Sequence, residues 1–427
     1  MNRLWTAPFQ PITFNPALGD LSKLIAPPYD VIDDKMAKSL LERHPFNAVR
    51  LIVPKPLAQQ LKDPYQTASR LWAQWIKEEI LIPWDKECIF IYSQRFPWRG
   101  REREQRALLC PVPLMESDDG PIRPHEQTVQ SAIDDRLALL KATWAEHSQI
   151  YALIEGDERW ACFLRATSTA PPSLQAQDET CLHCAWVVDD PSFIQEVSDY
   201  LSDKWLIIAD GHHRYRTAVT FARSLPSSAS HTDPARYIGA IIADGRTDTT
   251  VIPTHRILRF QRAELKDRFL AQIRRRFFTQ NVCDPITDET IDGLLSGDQR
   301  SSFLFTSCGE TCLVTVTGLE SAVNQALSSV ADAFKKVPTA VLHLGLLPVT
   351  LSSLGIKQEE VSIAYTHSVQ EALAHSADAG SVAILVPPLK AEEVMAIARQ
   401  GLVLPPKTTY FFPKTPSGFV MRSLKPI

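Results

Sequence analysis

Apolar positions along the chain fall into short unbroken runs and into sets spaced three and four apart, the marks of buried strands and amphipathic helices. Runs at 47–53, 88–92, 107–112, 150–154, 160–165, 184–188, 205–209 and 237–243 predict strands. Helical spacing appears at 67–81, through Ala68, Leu71, Trp72, Trp75 and Ile76, and after Trp205, through Tyr215, Ala218, Val219, Ala222 and Leu225. It appears again at 129–144, through Val129, Ile133, Leu137, Leu140 and Trp144. Asp33 or Asp34 would cap a helix at 36–44, and a short helix is expected at 192–201. Stretches rich in Ser, Pro and Ala, at 167–177 and 224–234, predict surface loops.

Past Phe260 the pattern changes. Residues 263–277 predict a basic amphipathic helix, strands follow near 303–306 and 312–316, and helical spacing covers 324–336 and 339–354. The remainder alternates strand and helix (362–365, 368–376, 382–386, 391–400), with Gly380 and Gly401 as breakers. The fold class implied is α/β (α+β). Two domains are expected, 1–262 and 263–427, since 427 residues exceed one typical core.

Composition narrows the partners. With 44% hydrophobic and 22% charged residues the chain is ordinary for a globular protein, and a net charge of −4 gives no bulk drive toward nucleic acid or anionic membrane. The alternating charges of Arg101-Glu102-Arg103-Glu104 suit a solvated hairpin end. No apolar run approaches the roughly 18–20 residues of a membrane span. Residues 1–11 lack a signal-peptide layout, so a cytoplasmic protein is expected. The eight cysteines are scattered, unlike a disulfide framework. Cys181-Leu182-His183-Cys184 has the spacing of half a zinc site, but no second pair follows, and reduced strand thiols are the simpler reading.

The chemistry concentrates in few places. Asp210-Gly211-His212-His213-Arg214 lies between a predicted strand and a predicted helix, where unpaired N–H groups and the helix dipole favour an anion. Arg214 adds a fork suited to phosphate or carboxylate. A second loaded stretch, Arg123-Pro124-His125-Glu126, opens another helix; Glu126 would serve there as a cap or as a general base. Pro27-Pro28 would hold Tyr29 and Asp30 in a fixed loop. Thr254-His255-Arg256 could reach a phosphate or cap a sheet edge. The run 405–418, carrying Lys407, Tyr410 and Lys414, suits a loop closing on an anion or a strand docking on a sheet. The strand at 237–243 ends in a second Ile-Ile-Ala-Asp-Gly, at 241–245, without the His-His-Arg. Adjacent His212 and His213 make poor joint ligands for a metal hydrolase, because neighbouring side chains point apart.

Several of these stretches together resemble the domain-of-unknown-function family number 1015: APPYDV at 26–31, RPHEQT at 123–128, ADGHHRY at 209–215, PTHR at 253–256, and 406–418. The pairing of Pro-His-Glu with Asp-Gly-His-His-Arg also resembles the ParB/sulfiredoxin-like superfamily, in particular its free-serine kinases. That resemblance implies a ParB/sulfiredoxin-like nucleotide-binding core with a C-terminal α/β domain. It implies Glu126 as the base toward a substrate hydroxyl, with His125 beside it, and Asp210 positioning substrate or Mg²⁺. Gly211, His212, His213 and Arg214 would hold phosphates. Tyr29, Asp30, Arg123, Thr254, His255, Arg256, Lys407, Tyr410 and Lys414 are further candidate contacts. Sulfiredoxin has a cysteine in its turn where this chain has His212, which disfavours sulfinic-acid repair.

The expectation is a phosphotransferase acting on a small metabolite, free L-serine first, with ATP or ADP as donor and Mg²⁺ as companion ion. No Gly-x-x-x-x-Gly-Lys-Ser/Thr loop or protein-kinase motif set is present. The alternative is a ParB-type regulatory module that binds CTP or ATP without transferring phosphate.

Overall fold

The computed structural model describes residues 5–115, 120–166, 170–226, 230, 232–247, 249–295, 301–316, 321–405 and 407–426. It is a mixed α/β protein in two units. The first holds Met1–Thr249, Ala398–Gly401 and Pro413–Ile427; the second holds Thr250–Ile397 and Leu402–Phe412. A division at 262 would cut off a strand of the second unit's sheet, His255–Phe260, and would separate residues 413–427 from the unit they belong to.

The first unit is built on an eight-stranded sheet. In spatial order its strands are Ile122–Pro124, Leu206–Asp210, Ile150–Ile154, Tyr237–Asp244, Arg101–Pro113, Ile89–Trp98, Leu182–Val188 and Leu174–Gln177. Two pairs are parallel, Ile122–Pro124 with Leu206–Asp210 at one edge and Ile150–Ile154 with Tyr237–Asp244 in the middle; the rest are antiparallel. Tyr237–Asp244 and Ile150–Ile154 are buried along their whole length, which is why they are nearly continuous apolar runs without alternation. The charged residues 101–104 lie in the far end of a long hairpin that turns at Arg99-Gly100. The loop expected at 167–177 ends in the edge strand Leu174–Gln177; residues 167–169, like 227–229 and 231 of the loop at 224–234, lie outside the described residues.

Two expected strands are helices. Residues 47–53 contain the single-turn helix Val49–Ile52. Asn47 sets that turn: its Oδ1 accepts the Val49 N–H at 3.0 Å, while its Nδ2 donates to the carbonyls of Lys23 and Ile25. A short apolar run buried all round does not reveal its period. Residues 160–165 belong to the helix Glu158–Arg165, capped by Asp157, whose carboxylate accepts the Trp160 N–H. Its buried residues Trp160, Phe163 and Leu164 carry helical spacing.

In the second unit six antiparallel strands follow the order Phe278–Val282, Glu310–Thr315, Ser302–Ser307, Ser381–Leu385, His255–Phe260, Val361–Thr366. The strand–helix alternation of 361–385 does not make adjacent parallel strands. Val361–Thr366 and Ser381–Leu385 flank His255–Phe260, which runs opposite to both, a split βαβ unit.

Candidate functional site

In the first unit, strand pairing brings the two chemically loaded stretches together. Ile122–Pro124 runs parallel to Leu206–Asp210, with Ile122 opposite Leu206 and Pro124 opposite Ile208. Parallel neighbours end on the same side of a sheet, so His125-Glu126 and Asp210-Gly211 leave it side by side. The carboxyl ends of strands are where open α/β sheets hold ligands.

Gly211 turns the chain from strand into the helix His212–Arg223 at φ 86°, in the left-handed region that glycine tolerates. A Cβ there would also come within 2.9 Å of both Arg214 Nη2 and Ile150 Cγ2. The helix begins without a side-chain cap, which leaves its start suited to an anion.

Two histidines staple the stretches to each other. His125 is wholly buried, and its Nδ1 lies 2.6 Å from the Ile208 carbonyl. A carbonyl only accepts, so Nδ1 carries the proton. His212 Nε2 lies 3.2 Å from that ring nitrogen and accepts the backbone N–H of His125 at 3.4 Å. The two rings meet edge to face, 4.6 Å between centroids. His213 Nε2 accepts the N–H of Val129 at 3.0 Å. Burial keeps both buried imidazoles neutral: His125 is lowered to about 4, and His212, with His125 adding to the effect, falls well below the ordinary value. His212 and His213 therefore hold the Pro-His-Glu segment against the turn. Glu126 follows directly, half-buried.

Asp210 is the hub of the charges. Its Oδ2 accepts from Arg214 Nη2 at 2.8 Å and its Oδ1 from Lys414 Nζ. Burial works to raise this carboxyl, but the Lys414 and Arg214 cations outweigh it and bring it down to about 2. Arg214 is also bonded by Nη1 to Ser148 Oγ at 3.0 Å and to the Gln149 carbonyl. The expected phosphate fork is thus anchored within the turn. Both carboxylate oxygens of Asp210 are engaged, and among the described residues no three His, Cys, Asp or Glu side chains group as metal ligands. The Mg²⁺ role expected of Asp210 does not fit this arrangement: with Lys414 and Arg214 in place, the carboxylate is a holder of cations.

The remaining candidates divide between the units. In the first, Tyr29 is half-buried beneath Arg136, whose guanidinium carbon lies 4.1 Å from the ring centroid; burial pushes the phenol up to about 12. Asp30 is exposed beside it. Arg123 donates to the Gly120 carbonyl and lies over the Trp205 ring. In the second unit, Arg256 is wholly buried. It donates to His343 Nε2 at 2.9 Å, to the Lys407 carbonyl at 3.0 Å and to the Thr254 carbonyl. His255 accepts the Val386 N–H, Thr254 meets His367, and Tyr410 packs against His367 with ring centroids 3.8 Å apart. Arg256 and His255 thus bind elements of their own unit together, on a strand interior to its sheet. Pro406 lies outside the described residues. Cys181 and Cys184 are buried free thiols, both raised by burial, and the His183 ring between them is bonded to Tyr92 and Asp178.

Sequence reasoning misses Ser148, the Gln149 carbonyl and Arg136. The signal for the first is present: Glu146-His147-Ser148-Gln149 is a polar run directly before the apolar strand Ile150–Ile154.

A family model described as "Protein of unknown function (DUF1015)" matches residues 6–336. The chain belongs to this family. The match includes the Tyr29, Pro-His-Glu, Gly-His-His-Arg and Thr-His-Arg stretches but ends before Lys414. No curated protein matches the chain. Among solved structures it is similar to a free serine kinase variant in complex with AMP, at 14% identity and TM-score 0.34, covering 69% of this chain and 87% of that one. It is similar to a conserved hypothetical protein from Pyrococcus furiosus, at 14% identity and TM-score 0.32, covering 71% of this chain and 96% of that one. It is also similar to a C-terminally truncated SbnI from Staphylococcus aureus, at 10% identity and TM-score 0.35, covering 74% of this chain and 81% of that one.

Proposed function

We propose that the first unit transfers a phosphoryl group from a nucleotide, ATP or ADP, to the hydroxyl of a small metabolite, with free L-serine the first acceptor to test. The observation that carries this reading is the stapling of His125-Glu126 to the Asp210–Arg214 turn by His212 and His213. It holds the backbone on either side of Glu126 against the first residues of the helix, which supports reading Glu126 as the base and the helix start as the phosphate site. Glu126 takes the hydroxyl proton as the oxygen attacks the terminal phosphorus. The bond from phosphorus to the bridging oxygen breaks, and the shortened nucleotide leaves. Lys414 and Arg214, gathered on Asp210, carry positive charge to the phosphoryl oxygens. Mg²⁺, where it accompanies the nucleotide, screens phosphate charge, and no step depends on the protein holding it.

Incubation with ATP or ADP and serine should yield phosphoserine, read by phosphorus NMR. Glu126→Gln should lower turnover about 10²–10⁴-fold, the usual contribution of a positioned base, while nucleotide binding persists. Transfer to no hydroxylated metabolite, together with a thermal shift for CTP alone, would replace this reading with the ParB-type regulatory module.

A further inference from the structure

Arg214 has a second role beside its ion pair. With Tyr29, Arg136, His147, Ser148 and Ser417 it lines a cavity of about 70 Å³ inside the first unit, completed by two further polar residues and aliphatic side chains. One water needs roughly 10–15 Å³ on this measure, so the space is larger than a packing gap. It is also not a dry apolar void. His147 is 6% exposed, and its Nε2 has no hydrogen-bond partner; Arg214 Nε is buried and likewise unpartnered. Buried polar groups are almost always bonded, and both residues line this cavity, which marks it as a place for a polar ligand.

The unmet groups define its chemistry. Arg214 Nε–H can only donate. The Tyr29 phenol, pushed up to about 12 by burial, keeps its proton. Ser148 Oγ already accepts from Arg214 Nη1, which leaves its own O–H to give. The carboxylate on the wall, Glu146, is engaged by Arg422 on both oxygens and by the Gly239 N–H. The wall thus offers donors beside two guanidiniums, Arg214 paired with Asp210 and Arg136 with Asp135, and no free carboxylate, with Thr217 and aliphatic carbon around them. A carboxylate on a short carbon skeleton meets these demands with a full negative charge; a polyol's hydroxyls accept only as neutral groups, and an ammonium cannot accept at all.

We propose that this cavity seats the carboxylate of the phosphoryl acceptor, which makes the acceptor a small hydroxylated carboxylic acid. The inference rests on the phosphoryl-transfer reading for the word acceptor, but its binding arm stands apart. Calorimetric titration of the full chain with L-serine and D-glycerate should show binding, and ethanolamine and glycerol should bind at least about tenfold more weakly. Tyr29→Phe and His147→Gln should each weaken carboxylate binding and raise the acceptor KM about tenfold, with the ATP dissociation constant unchanged. Tyr29→Phe keeps the ring beneath Arg136, so it remains readable should His147→Gln fail to fold. Equal binding of glycerol and glycerate, or carboxylate binding untouched by both variants, overturns the cavity assignment. If phosphoryl transfer to some other hydroxyl then persists, the function stands without it. Carboxylate binding without nucleotide binding or transfer retains the cavity and sinks the kinase.

Discussion

At the scale of single residues, Gly211 and Asp210 make the turn what it is. Gly211→Ala meets both a left-handed backbone and two atoms at 2.9 Å. The left-handed conformation alone costs an L residue about 1–2 kcal/mol, and displacing Arg214 adds to it. Urea unfolding should show at least that loss, accompanied by weaker nucleotide binding. Asp210 gives a pH signature. Its carboxyl stands at about 2 in the fold against an ordinary 3.8, so the stabilisation is complete above the ordinary value and is lost as pH falls toward 2. Lys414→Gln removes one of the two cations that depress it. The acid limb of a stability–pH curve should therefore be shallower in that variant than in the wild type. The importance of Asp210 and Gly211 is legible in the sequence from their place between a strand and a helix. The second cation on Asp210 is not, because Lys414 is 204 positions away and nothing local announces the pair.

At the scale of elements, the meeting of Pro-His-Glu with the turn depends on a three-residue strand, Ile122–Pro124, too short to leave a period in the sequence. The strand Leu206–Asp210 and the helix His212–Arg223 are both legible, one from an apolar run and the other from three- and four-residue spacing. The stretches 47–53 and 160–165 are not. Asn47 and Asp157 show why: each spends its side chain on backbone N–H groups and commits an apolar stretch to a helical turn that a count of apolar residues assigns to a strand. The buried histidine pair makes the packed edge acid-sensitive. The folded protein holds His125 neutral down to about 4, whereas an unfolded histidine takes its proton near 6.5. Stability is then full above 6.5 and drains away as pH falls toward 4. His125→Asn, whose amide can still donate to the Ile208 carbonyl, should flatten that segment of the curve, measured as the urea midpoint against pH.

At the scale of the whole chain, residues 413–427 belong to the first unit although both segments of the second, 250–397 and 402–412, precede them. Apolar periodicity identifies elements and says nothing of this return, so a cut at a composition change near 262 misplaces it. The returning segment is tied in by chemistry that a sequence pattern does not display. Met421 exchanges backbone hydrogen bonds with Ile12, and Ser417 with Ala26. Gln149 donates to the Val420 carbonyl. Arg422 is forked onto Glu146 at 2.8 and 3.1 Å, with side-chain exposures of 5% and 8%, and also donates to the carbonyls of Pro234 and Tyr237. Such a buried pair adds little against an apolar alternative, but breaking it strands a buried carboxylate at a cost of about 3–5 kcal/mol. Arg422→Leu should lower stability by that amount in denaturant. Removing residues 413–427 should do more, since it also takes away Phe419, Val420 and Met421, buried to 1% exposure or less, and the Lys414 cation on Asp210. A chain ending at 412 is then expected to lose the cooperative unfolding transition of the first unit. If instead it unfolds at the same denaturant concentration as the intact chain, the return is an ornament, and the Asp210 site must hold its geometry without Lys414.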